Sequence, residues 1–256
     1  GLKLTQVSLS SWSAGGESAM AFDSQITYSA DFKRDRQLWQ NRLELGYGLT
    51  KNDGKSARKT NDKIYFASTY GYQMYKAWYW SALLNFNTQF AKGYDYNIED
   101  SDFISKFLAP GYLVIGVGAT WSPNKIFTAT ITPASWRGTI VANKRLSDEG
   151  AFGVDKGKHL LSEFGANLKA EVNYEFLQNM TIYSRLELYS NYLEDPQNID
   201  VRWDVQLNMA INKWFSTTLT TNLMYDDDVK IVQKDGTKGS RVQFKEILGV
   251  GVQFNF

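Results

Sequence analysis

The feature that most constrains this chain is a two-residue alternation of apolar and polar side chains, repeated along the whole sequence. Successive side chains of an extended strand point to opposite faces, so such alternation marks strands whose two faces meet different surroundings. In 39–49, Trp39, Leu43, Leu45, Tyr47 and Leu49 alternate with Gln40, Arg42, Glu44, Gly46 and Gly48. The last segment, 240–256, places Leu248, Val250, Val252, Phe254 and Phe256 on one face and Gly249, Gly251, Gln253 and Asn255 on the other. Comparable segments are 2–12, 20–32, 62–74, 78–90, 110–122, 126–134, 160–176, 179–193, 199–213 and 214–226. The pattern predicts about twelve strands and one domain, residues 1–256. No run of eighteen or more apolar residues is present, which excludes a transmembrane helix.

The connections alternate in kind. Tight ones fall at 33–37, 75–77, 122–125, 177–179 and 212–214, while the other set includes the long polar 51–60, 91–111, 135–159 and 226–239 and two short members, 13–17 and 194–198. Short turns at one rim and long loops at the other predict an all-β fold, a transmembrane antiparallel β-barrel with short periplasmic turns and long extracellular loops. Aromatic residues follow the same division. Trp39, Trp78, Trp80, Trp121, Trp214, Phe215 and Phe256 lie beside the tight turns, as expected of membrane-interface anchors. Trp12, Tyr47, Phe90, Tyr112, Tyr192 and Tyr225 are expected to form the opposite girdle. An even number of strands returns Phe256 to the tight-turn rim, and 248–256 is expected to be the barrel-insertion strand. No charged-then-apolar leader follows Gly1, so any export signal is expected to have been removed already or never to have been present.

If the apolar face meets lipid, the other face lines the interior. That face carries Asp23, Gln25, Asp31, Arg42, Glu44, Lys63, Glu163, Lys169, Glu171, Glu175, Arg185, Glu187, Asp200, Arg202, Asp204 and Lys245. Symmetric pairing about the 177–179 turn sets Glu171 opposite Arg185 and Lys169 opposite Glu187, both favourable cross-strand pairs. Asp200 and Asp204 are expected to flank Arg202, whose planar fork suits several carboxylates. Tyr65, Tyr79, Tyr183 and Tyr189 point inward as well. Mixed signs favour an interior plugged by ion pairs. A narrow ion-selective channel is the alternative, since rings of one charge set ion preference.

Other chemistry is thinly represented. With 28 basic and 27 acidic residues the net charge is +1, which gives no field for nucleic acid. Cysteine is absent and His159 is the single histidine, so thiolate chemistry and a histidine-rich zinc site are excluded. Ser162 near His159 is a faint trace of a lipase pair, read as a solvated loop histidine. Asp226, Asp227, Asp228, Asp235 and Gly236 form an acidic loop without EF-hand spacing, read as a solvated rim. The glycines of 116–118 and 249–252 are read as relieving crowding on the inner wall. No enzyme activity, cofactor or metal is expected.

Several stretches resemble an outer-membrane barrel family of the Bacteroidota known as domain of unknown function 3078. They include SLSSWSAGGES 8–18, LELGYGL 43–49, KAWYWSALLNFNTQFAKGYDY 76–96, FLAPGY 107–112, GAFGVDKGKH 150–159, SNYLEDPQNIDVRWDVQLNMAINKW 190–214, YDDDVKI 225–231 and RVQFKEILGVGV 241–252. The resemblance implies a Gram-negative outer membrane of Bacteroidota type and supplies no catalytic or ligand residues. The expectation is a non-enzymatic structural or accessory subunit of an outer-membrane assembly. Its partners are outer-membrane lipid, the barrel-insertion machinery during assembly, and other outer-membrane proteins.

Overall fold

A strand that buries one face and exposes the other must find a sheet with two unlike sides. The computed structural model describes residues 2–7, 19–52, 54, 56–96, 98, 102–212, 214–227, 230–232 and 238–252, with backbone alone for 2–7, 19, 230–232, 238 and 252. The main strands are β1 (Leu2–Val7), β2 (Ala19–Arg34), β3 (Gln37–Asn52), β4 (Arg58–Tyr75), β5 (Trp78–Thr88) and β6 (Gly111–Trp121). They continue as β7 (Phe127–Ile140), β8 (Leu160–Leu177), β9 (Met180–Asn191), β10 (Ile199–Ala210), β11 (Phe215–Tyr225) and β12 (Gln243–Val252). From β2 to β12 the strands pair antiparallel in unbroken chain order. β1 pairs with β2 and, through Leu2↔Val252 and Lys3↔Gly251, with β12, so the sheet closes on itself.

The tight turns fix the register. Arg34↔Gln37 and Leu177↔Met180 leave two-residue loops. Asp35 and Asn179 take left-handed φ of 52° and 65° there, which Asp and Asn tolerate better than most residues. Glu171 falls opposite Arg185, and Lys169 opposite Glu187, as symmetry about that turn requires.

The expected boundary at 134 was wrong. The segment expected to end at 134 continues as β7 to Ile140, because a bulge at Pro133 shifts the alternation rather than stopping the strand. Thr128, Thr130 and Thr132 face inward before it, and Ser135, Arg137 and Thr139 after it. The neighbouring strand accommodates the bulge only because Gly118 has no side chain. A Cβ there would meet the carbonyl oxygen of Ile131 at 1.9 Å.

Burial is inverted relative to a sandwich. Arg185 and Tyr65 are each 1% exposed, whereas Trp80 is 64% and Leu248 63% exposed. Leu248, Val250, Phe244, Trp203, Ile131 and Ile26 all turn outward. The side chain of Val252, together with Trp12, Phe254 and Phe256, lies outside the described residues.

The loops at the far rim are partly structured. A short helix, α1 (Lys144–Asp148), is capped by Asn143, whose side chain accepts from the Leu146 amide at 3.1 Å. Leu146, Val141, Val154 and Ala109 form a small apolar core with Phe103, Phe152 and Leu161 packed against it. This is the only cluster of buried apolar side chains among the described residues, and it lies in the loops rather than in the barrel.

Candidate functional site

The interior is crossed by a knot of charged side chains from opposite walls. Glu44 on β3 accepts from Arg42 Nε at 2.5 Å, Lys63 Nζ at 2.6 Å and Arg185 Nη1 at 3.1 Å. Arg185, on β9, also bonds Asp204 of β10 through Nη2, and its Nε stands 3.6 Å from Glu187. Tyr65 of β4 donates its hydroxyl to Glu187 at 3.0 Å, and its ring lies 3.9 Å from the Arg185 guanidinium. Towards the tight-turn rim, Lys169 pairs with Glu171 at 3.1 Å and Tyr183 donates to the same carboxylate at 2.7 Å.

Taking a guanidinium out of water costs several kcal/mol unless acceptors surround it. Here three carboxylates and an aromatic face do so. Arg185 therefore faces Glu171 across the ladder but reaches Glu44 across the lumen. Register was predictable, but the partner was not.

A second knot was missed. Arg137 grips Glu163 with Nε at 2.7 Å and Nη2 at 2.5 Å, bonds Asp200 through Nη1, and stacks 4.0 Å from the Tyr189 ring. Arg137 escaped notice because it was assigned to the 135–159 loop. Its signal was the polar set Ser135, Arg137 and Thr139, out of phase with the residues before Pro133. The expected grouping of Asp200 and Asp204 around Arg202 does not form, because Arg137 and Arg185 take those two acids. Arg202 instead places Nη2 3.6 Å from Met224 Sδ, with its guanidinium 6.0 Å from the Tyr112 ring. Tyr112 thus faces inward and does not join the expected outer girdle.

On the loop side of the first knot lies a cavity of about 400 Å³. Lys63, Tyr65, Arg185 and Asp204 form its floor, and Asp23, Gln25, Asn61, Arg202, Asn222, Gln243 and Lys245 contribute to its walls.

The remaining candidates are scattered. His159 Nδ1 donates to the Val141 carbonyl at 2.7 Å, while the Ser162 hydroxyl accepts from Trp136 Nε1 at 2.6 Å, so each side chain is held by a different partner. Asp227 accepts from Asn198 at 2.8 Å and Ser240 at 2.9 Å. Asp228, Asp235 and Gly236 lie outside the described residues, among which no metal-binding cluster occurs.

The outer face is aromatic near the tight turns. Trp39, Trp78, Trp80, Trp121 and Trp214 are all exposed there, and Trp78 stacks on Trp121 at 6.1 Å. Three outward indoles satisfy their N–H on a serine of the next strand: Trp39 on Ser68, Trp136 on Ser162 and Trp203 on Ser184.

A family model described as protein of unknown function, DUF481, matches residues 102–238, more than half of the 256-residue chain. The chain belongs to that family. A second model, protein of unknown function DUF3078, matches residues 4–94, so the resemblance read across nearly the whole sequence is matched over its first part. The DUF481 region holds Arg137, Glu163, Arg185 and Asp204, and the DUF3078 region holds Arg42, Glu44, Lys63 and Tyr65. The central knot thus joins residues from both. No curated protein matches. A solved structure titled NanC porin structure in rhombohedral crystal form is similar at 12% identity over 91% of this chain and 94% of that chain, with a TM-score of 0.43.

Proposed function

We propose that this chain is an integral outer-membrane β-barrel whose interior is closed by ion pairs, acting as a non-enzymatic structural or accessory component of an outer-membrane assembly. The observation that carries the closed interior is Arg185, 1% exposed and paired with Glu44 on the opposite wall. An arginine so placed is shielded from water on every side, which supports a closed interior at that level. Support for the membrane comes from the outward face. A soluble protein rarely exposes a large apolar surface, yet here most outward positions from Ile26 to Val250 are apolar, broken by a few hydroxyl side chains, Asn41 and Glu246. Strands of 10 to 18 residues from β2 to β12 match or exceed the roughly 9–11 needed to cross a bilayer core. Indole donors satisfied within the wall fit a surrounding that offers none.

In this reading the tight turns are periplasmic, the structured loops extracellular and the envelope Gram-negative, of the Bacteroidota type that the sequence resemblance implies. Lipid and the barrel-insertion machinery are its obligatory partners, and other outer-membrane proteins dock on its loops and outer aromatics. Two measurements test the proposal. Lipids brominated near the headgroup should quench Trp78, Trp80 and Trp121 fluorescence in reconstituted protein. Planar bilayers should show no steady conductance. Unquenched tryptophans refute the membrane reading, and steady open channels refute the plug in favour of a narrow diffusion channel.

A further inference from the structure

The cavity above the central knot is more than leftover space, because its charges do not cancel in the way those of the floor do. Lys63 and Arg185 in the floor are bound to Glu44 and Asp204, and Asp62 in the wall is bound to Lys59 at 2.7 Å. Two wall cations are left. Among the described residues Arg202 makes no ion pair, although Glu187 stands opposite it on β9; its hydrogen-bond contact is the Met224 thioether at 3.6 Å. Lys245 donates only to the Asn61 amide oxygen, at a long 3.3 Å. Among the described residues of the lining, the acid without a basic partner is Asp23, which accepts from the Asn61 amide nitrogen at 3.1 Å.

Register brings the two cations together. Arg202 stands opposite Met224 on β11, and Met224 opposite Gln243 on β12, two residues from Lys245. Lys245 lies in the row Asp204–Asn222–Lys245. Asp204 is spent on Arg185, and Asn222 donates its amide to the same carboxylate at 2.7 Å. On β3, Gly46 and Gly48 leave the room that the Asn61 and Asp23 side chains occupy, since a Cβ at either would meet them at under 3 Å, and those two side chains in turn line the cavity. Arginine with donors to spare binds carboxylates in a two-pronged fashion, and a nearby ammonium adds a second charge-assisted bond.

We propose that this loop-side cavity is a blind binding site for a small organic anion, a monocarboxylate held by Arg202 and Lys245. Single charge fits the balance of the lining, since Asp23, on the strand beyond β1 from Lys245, opposes a second negative group. The site rests on the closed interior proposed above: with the floor shut, the anion enters and leaves by the loop side and is retained rather than passed through.

The test uses three hydrophilic solutes of similar size, lactate, lactamide and 1-amino-2-propanol, which are anionic, neutral and cationic. Titrated into the purified full chain in detergent and followed by calorimetry, lactate should bind, and the other two should not bind measurably at the same concentration. Arg202→Gln and Lys245→Gln should each weaken lactate binding about tenfold, the loss of one charge-assisted hydrogen bond. Unchanged unfolding temperatures without lactate will show that both variants are folded. Equal binding of lactamide, or lactate affinity indifferent to both substitutions, overturns the proposal. So does the absence of lactate binding. Conductance separates this from the parent reading: a barrel that conducts steadily but binds lactate through Arg202 refutes the plug alone, and a silent barrel that ignores lactate refutes the site alone.

Discussion

Replacing Arg185 with alanine should unsettle the barrel more than any other single change in its interior. The substitution removes the cation that Glu44 and Asp204 share and that Glu187 faces at 3.6 Å. Lys63 and Arg42 remain on Glu44, at 2.6 and 2.5 Å, so that carboxylate stays compensated. Asp204 is left with Lys63 at 3.7 Å and the Asn222 amide, and Glu187 with the Tyr65 hydroxyl. Breaking a buried ion pair by removing one partner costs about 3–5 kcal/mol, chiefly because a charge stays behind without its counter-ion. With Lys63 available to shift towards Asp204, the lower end, about 3 kcal/mol, is expected. The assay is reversible urea unfolding in lipid bilayers, read by tryptophan fluorescence. A second variant isolates the cause: Arg185→Ala combined with Asp204→Asn removes the stranded acid and should recover at least half of the loss. A loss below about 1 kcal/mol, the range of an exposed pair, would show that water reaches Arg185 and that the interior is not closed at its level. Failure of the double variant to recover stability would show that lost packing against Tyr65, not stranded charge, dominates.

Two further outcomes follow from the geometry. Leu248→Arg puts a charge on the outward face and should lower stability in bilayers by about 2 kcal/mol or more, with little effect in a soluble sandwich; the same urea titration decides between them. Gly118→Ala should destabilise by about 2 kcal/mol or more, because its methyl meets the Ile131 carbonyl oxygen at 1.9 Å and the Pro133 bulge must move. Near-wild-type unfolding of that variant would show the bulge to be pliable.

The wall of this protein was readable because alternation has a period of two, and a strand obeying it commits every side chain to a face. Leu248 and Val250 outward, Arg185 and Tyr65 inward, and the pairing of Glu171 with Arg185 all follow from that rule and from one tight turn. Where the rule was interrupted, the reading failed. A single extra residue at Pro133 reversed the phase, and Arg137, which holds both Glu163 and Asp200, was lost to a supposed loop. Tyr112 was misplaced for a related reason: its glycine-rich segment alternates too weakly to show which set faces inward. The partners of Arg185 and Arg202 lay beyond the pattern altogether. Alternation tells which side chains enter the interior, but the reach of a long side chain across it depends on how the sheet curves, which no local pattern encodes. The ordered loop core around Leu146 and Val141 was likewise hidden, because its apolar residues are isolated in polar sequence and meet only in three dimensions.

The distance along the chain between Glu44 and Arg185 has a kinetic corollary. These residues are 141 positions apart and sit on opposite sides of the ring. Neither hairpin alone can supply the other's counter-charge, so until the last strands come round, each group must stay hydrated or borrow a local neighbour. Their union is a late event by construction, and a probe placed on either residue would serve as a clock for completion of the cylinder.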